Sequence, residues 1–123
     1  NDTVGNLVAH GAGAMTLKFG TPPGTQTLTF AATTANLAVG DVLDFISNAT
    51  AIVSGAPTGA TGIAGGNGQV FVDTTTSAGD TIITFDADGS RTFSVGDIQI
   101  KVVGNVLSFG IDASGNLVVA TSA

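Results

Sequence analysis

Residues 98–111 read IQIKVVGNVLSFGI. Ile98, Ile100 and Val102 alternate with Gln99 and Lys101; beyond Gly104-Asn105, Leu107, Phe109 and Ile111 alternate with Val106, Ser108 and Gly110. A period of two sends one set of side chains to each face of an extended strand, the pattern of a half-buried β-strand. Gly-Asn between two such runs suits a two-residue hairpin turn, because both residues tolerate positive φ. Residues 112–116 form the next turn and lead into a last run from Leu117 to Thr121, so the C-terminal third is expected to be an antiparallel meander.

The same alternation recurs upstream. Met15, Leu17 and Phe19 would face a core with Thr16 and Lys18 turned outward. Leu28 and Phe30 alternate with Thr27 and Thr29, and Ile83 and Phe85 with Ile82 and Thr84. Thr21-Pro22-Pro23-Gly24 is a turn with fixed backbone angles. Residues 55–69, GAPTGATGIAGGNGQ, read as a long glycine-rich loop without charge. Ala38-Val39-Gly40-Asp41-Val42 follows one strand run, and Ser94-Val95-Gly96-Asp97-Ile98 follows another at nearly the same spacing. Two copies are too few for a solenoid but suit two related halves of one sandwich or jelly roll.

Composition points the same way. The 123 residues include 18 Gly and no Cys, Trp or Tyr, and all nine acidic residues are Asp. Helix formers such as Glu, Lys, Arg and Gln are scarce, whereas Val, Ile, Thr and Phe are plentiful. The expected fold is all-β: one antiparallel β-sandwich or jelly roll over residues 15–123, with an N-terminal strand arm and link over residues 1–14. The arm runs from Thr3 to His10, and Gly11-Ala12-Gly13-Ala14 reads as a flexible link.

Charge and residue types exclude several functions. Three basic residues and a net charge of −6 cannot neutralise a phosphate backbone, so no nucleic-acid partner is expected. Residues 46–72 carry no charge, yet Gly, Pro, Asn and Thr interrupt every apolar run well short of a membrane span. Without Cys there is no disulfide, thiolate chemistry or Cys-ligated zinc. His10 is the single histidine and sits in the arm, Asp41 and Asp44 would point to opposite faces of a strand, and no nucleophile-elbow, P-loop or zinc-protease pattern occurs. An enzyme is not expected. The chain opens on Asn1 rather than Met, which fits a processed secreted product and equally a fragment of a longer chain.

Three features carry candidate sites. Asp86-Ala87-Asp88-Gly89-Ser90 offers two carboxylates and a hydroxyl on a tight loop, and Asp97 closes the segment. Asp86, Asp88, Ser90 and Asp97 therefore form a candidate calcium site, since hard cations take several oxygens at such spacing. The same residues also read as a plain Asp-Gly turn, and the sequence requires no cofactor beyond this candidate calcium. It is not an EF-hand: Arg91 takes the place of the sixth-position glycine and Asp97 that of the twelfth-position Glu. Asn48-Ala49-Thr50 and Asn1-Asp2-Thr3 match the acceptor pattern for a covalent N-linked glycan, and residues 74–77 offer hydroxyls for O-linked sugar. In the arm, Val4, Leu7, Val8 and His10 make a strand apolar enough to join a sheet, either its own or that of a neighbour.

In composition and in its arm–link–domain order over residues 1–14, the chain resembles subunits of bacterial and archaeal extracellular filaments: secreted Thr/Gly/Ala-rich β-sandwiches joined by donated strands. The resemblance implies an extracellular or cell-surface location and a homopolymer in which each arm enters an adjacent subunit, giving a head-to-tail filament. The chain departs from chaperone-assembled pilins in lacking Cys, and Lys18 and Lys101 lie on the polar phase of their strands, against a Lys–Asn isopeptide bond. The expected function is thus a structural subunit of a surface fibre. The alternative is a calcium-dependent adhesin or carbohydrate-binding module of a larger surface or phage protein.

Overall fold

Alternating apolar residues with β-branched neighbours build strands that bury one face, and here two such faces meet. The computed structural model describes residues 16–19, 26–30, 39–45, 48–57, 68–90, 92–93, 97–104 and 106–122. The described strands are β1 (Thr16–Lys18), β2 (Gln26–Phe30), β3 (Val42–Asp44), β4 (Ala51–Ser54), β5 (Gln69–Asp73), β6 (Thr81–Asp86), β7 (Ile98–Val102), β8 (Leu107–Ile111) and β9 (Leu117–Ser122). They form a four-stranded sheet, β1-β3-β9-β8, and a five-stranded sheet, β2-β7-β6-β5-β4. No helix occurs among the described residues, and the protein is an all-β sandwich. The arm and link, residues 1–14, lie outside the described residues, as do Met15, the turn at 21–24 and residues 58–67.

The core lies between the sheets. Val70, Ile83, Phe85, Ile98, Ile100 and Val102 come from the five-stranded sheet; Leu43, Leu107, Leu117 and Val119 come from the other. Each is at most 2% exposed. Phe19, Phe45 and Phe85 form an aromatic column through this core, with ring centroids 5.2 Å apart for Phe19–Phe45 and 4.3 Å for Phe45–Phe85. Stacked rings at such separations add to the area they bury.

Pairing is mixed. β3–β9, β5–β6, β6–β7 and β8–β9 are antiparallel, whereas β1–β3, β2–β7 and β4–β5 are parallel. Parallel neighbours need a long connection. Between β4 and β5, Ala51 pairs with Gln69 and Ser54 with Val72.

The meander expected over the C-terminal third is corrected in one place. β8 and β9 form a hairpin, but β7 and β8 belong to different sheets. The turn before β8 is a crossing between layers. Gly104, at φ 75°, donates its amide to the Asp80 carboxylate at 2.7 Å, and the Leu107 amide donates to Thr81 Oγ1 at 2.9 Å. Both anchors hold the chain at the mouth of β6 and steer it to the opposite layer.

Candidate functional site

Two places stand out, an acidic cluster at one end of the five-stranded sheet and an apolar groove at the open side of the sandwich.

The cluster begins where β6 runs out. Gly89, at φ 73°, lets the chain reverse immediately, and the Gly89 amide donates to Asp86 Oδ1 at 3.1 Å. The Ser90 amide donates to Asp88 Oδ1 at 3.0 Å. Asp97 lies one residue beyond the Phe85–Ile98 pair, and its Oδ1 accepts the Ala87 amide at 2.8 Å. These bonds bring carboxylate oxygens of Asp86, Asp88 and Asp97 within 4.8 Å of one another. Asp86 and Asp97 are fully buried, and Asp88 is exposed. Of the four residues picked from the sequence, Ser90 behaves differently: its hydroxyl lies 3.1 Å from the Thr92 carbonyl and 3.0 Å from Thr92 Oγ1.

The register adds a residue that the sequence analysis placed at the end of a loop. Gln69 pairs with Asp86 across β5 and β6. Directly opposed residues share a face, with Cβ atoms about 5 Å apart. Gln69 is 2% exposed, and its Oε1 has no hydrogen-bond partner. No local motif marks Gln69; only the pairing of two strands far apart in sequence brings it beside Asp86.

The groove lies between β4 and β8, which are sheet edges among the described residues. Ile52, Ser54, Val72, Thr74, Leu107, Ser108 and Phe109 line a cavity of about 280 Å³. Ile52 pairs with Val70 and Phe109 with Val119, so both point inward by register. Even so, Ile52 is 38% exposed, and Ile111, on the same row as Phe109, is 37% exposed. Ile111 belongs to the alternating apolar set of β8. It stands at the rim because β8 has a neighbour on one side only among the described residues and carries a register shift between Ser108 and Phe109.

The remaining sequence candidates are placed as follows. Val4, Leu7, Val8, His10 and Asn1 lie outside the described residues. Asn48 is exposed, while the position of a Cβ at Gly115 would fall 2.6 Å from its Cγ. The hydroxyls of Thr75 and Thr76 donate to Asp73, and that of Ser77 donates to Asp80, so this stretch serves first to fix the β5–β6 turn. The two Gly-Asp echoes end in different sheets, each with a fully buried aspartate, Asp41 or Asp97, just before a strand. No helix among the described residues is long and apolar enough to cross a membrane. No protein-family model, curated protein or solved structure matches this chain.

Proposed function

We propose that this chain is a non-catalytic structural subunit of an extracellular filament or surface fibre, in which the N-terminal strand of one copy enters the β4–β8 groove of the next. The observation carrying this reading is the groove itself: inward-pointing apolar side chains left uncovered between two sheet edges. An added strand would hydrogen-bond along β4 or β8 and seat alternate side chains in the groove. Residues 3–10 supply Val4 and Val8 on one face and Leu7 on the other, so either orientation delivers a branched apolar residue. Donor and acceptor surfaces differ, so the contact is head-to-tail and propagates rather than closing into a dimer. Few charges guard these edges, in keeping with a sheet meant to be extended. Asn48, exposed on the surface, is the position for a covalent glycan.

The test is electron microscopy of the native chain and of a variant lacking residues 1–13. Fibres of uniform width from the first, and a folded monomer from the second, are expected. Fibres from the truncated chain, or none from the native chain at any concentration with calcium present, would refute the reading. The convergence of Asp86, Asp88 and Asp97 favours a second reading, a calcium-dependent adhesin or binding module, although without Trp or Tyr it lacks the usual sugar-stacking platform.

A further inference from the structure

We propose that Gln69 Oε1 joins Asp86, Asp88 and Asp97 as a ligand of a calcium ion that ties together the ends of β5, β6 and β7. The inference is independent of the filament reading, which concerns the β4–β8 groove and is judged by microscopy.

Two separate observations carry it. The first is the size of the carboxylate cluster. Calcium binds oxygens at 2.3–2.6 Å, so two ligands on opposite sides of one ion are separated by about 4.8 Å. Oxygens of Asp86, Asp88 and Asp97 fit within that span. Magnesium, at about 2.0–2.1 Å, would require tighter convergence.

The second is the buried amide oxygen. An acceptor removed from water without a partner costs free energy, and native structures rarely keep one. Gln69 is nearly fully buried, and its Oε1 is the one such orphan among the described side chains. It belongs to the residue directly across from Asp86, on the same face of the sheet. A neutral amide oxygen is an ordinary calcium ligand. Ionised carboxylates have no hydrogen to give it, whereas a cation supplies the partner it lacks. Three carboxylates and one amide supply at least four of the six to eight oxygens that calcium takes, with backbone carbonyls or water completing the shell.

The position has a mechanical consequence. β6 is central to its sheet, with β5 on one side and β7 on the other. An ion held by residues from β5, from the β6 end and from the approach to β7 would fasten three strands where the ladders stop.

The experiment uses the whole chain, stripped with a chelator and then titrated with calcium chloride while thermal unfolding is followed. At a hundredfold excess over the dissociation constant, the unfolding midpoint is expected to rise by roughly 8–14 °C. Gln69→Leu fills the same space without an orphan oxygen. It is expected to match or exceed the native midpoint in chelator while its calcium affinity falls about tenfold or more, by isothermal titration. Asp88→Asn, at an exposed position, is expected to weaken binding as well. No calcium-dependent shift of the native chain up to about 10 mM, roughly tenfold above the weak end of extracellular sites, would overturn the proposal. So would a Gln69→Leu variant that keeps native calcium affinity, since the oxygen would then not be a ligand.

Discussion

Replacing Asp73 by Asn should make the sandwich less stable at neutral pH and leave it nearly unchanged in strong acid. Asp73 ends β5 and is 3% exposed. The Thr76 hydroxyl donates to its Oδ2, while the Thr75 amide and hydroxyl donate to Oδ1 at 2.9 Å each and the Thr76 amide at 3.1 Å. The Thr76 hydroxyl is the main cause that lowers its pKa from 3.8 to about 2; burial opposes this, and the two amides and the Thr75 hydroxyl add to it. Each unit is worth 1.36 kcal/mol, so the ionised carboxylate contributes about 2 kcal/mol to folding. Because the folded-state pKa is the lower one, that contribution is complete above the unfolded value of 3.8 and fades as the pH falls through about 2. Asn keeps one acceptor oxygen and loses the charge. For a chain of this length the loss corresponds to a fall in melting temperature of roughly 6–10 °C at pH 7. Circular dichroism melts of both proteins, stepped from pH 7 downward, read the effect: the gap should close between about pH 4 and pH 2. A gap that persists unchanged below that range, or is absent at pH 7, would refute the account of this turn as a carboxylate held by four donors.

Two further substitutions probe the packing. Gly68 has φ +85°, and a Cβ there would lie 2.2 Å from the Asn48 carbonyl oxygen, so Gly68→Ala should cost about 2–4 kcal/mol in urea denaturation; a change within experimental error would show that the Asn48 backbone yields freely. Thr81→Val keeps the shape but leaves the buried Leu107 amide without its acceptor, which should cost about 1–3 kcal/mol. Thr81→Ser keeps the hydroxyl and should be destabilised far less, and a stable Val variant beside a destabilised Ser variant would mean that the methyl group rather than the hydroxyl matters.

Much of the sandwich was legible because its signal is local. Clean alternation in β7 and around β1 and β2, with scarce helix formers, identified strands directly. β4 and β5 were missed for a physical reason. Val70 and Phe71 are adjacent, and both are buried, Val70 in the core and Phe71 on the other face of the sheet outside the core cluster. A strand buried on both faces loses its period of two. β4 is four residues long, too short for a period to register.

The acidic cluster was partly legible for the same reason. Asp86, Asp88 and Asp97 lie close in sequence and flank one turn, so their convergence could be read from spacing. Gln69 is far away along the chain, in a stretch that reads as loop, and Ser90 has the right spacing but directs its hydroxyl to Thr92. Spacing reports which groups can meet; side-chain direction depends on the backbone angles of the closed turn.

By itself, the sequence determined the β class, the strands with a clean period and the acidic turn, because each depends on neighbours a few residues apart. Only the tertiary structure decided which strands pair, in which direction and in which layer. Gly104-Asn105 satisfies the rules of a hairpin turn, yet the chain crosses there to the other sheet, held by Asp80 and Thr81 from more than twenty residues upstream. Turn chemistry sets the local bend. The layer to which the next strand belongs is set by buried hydrogen bonds and apolar faces, which exist only once distant segments have come together.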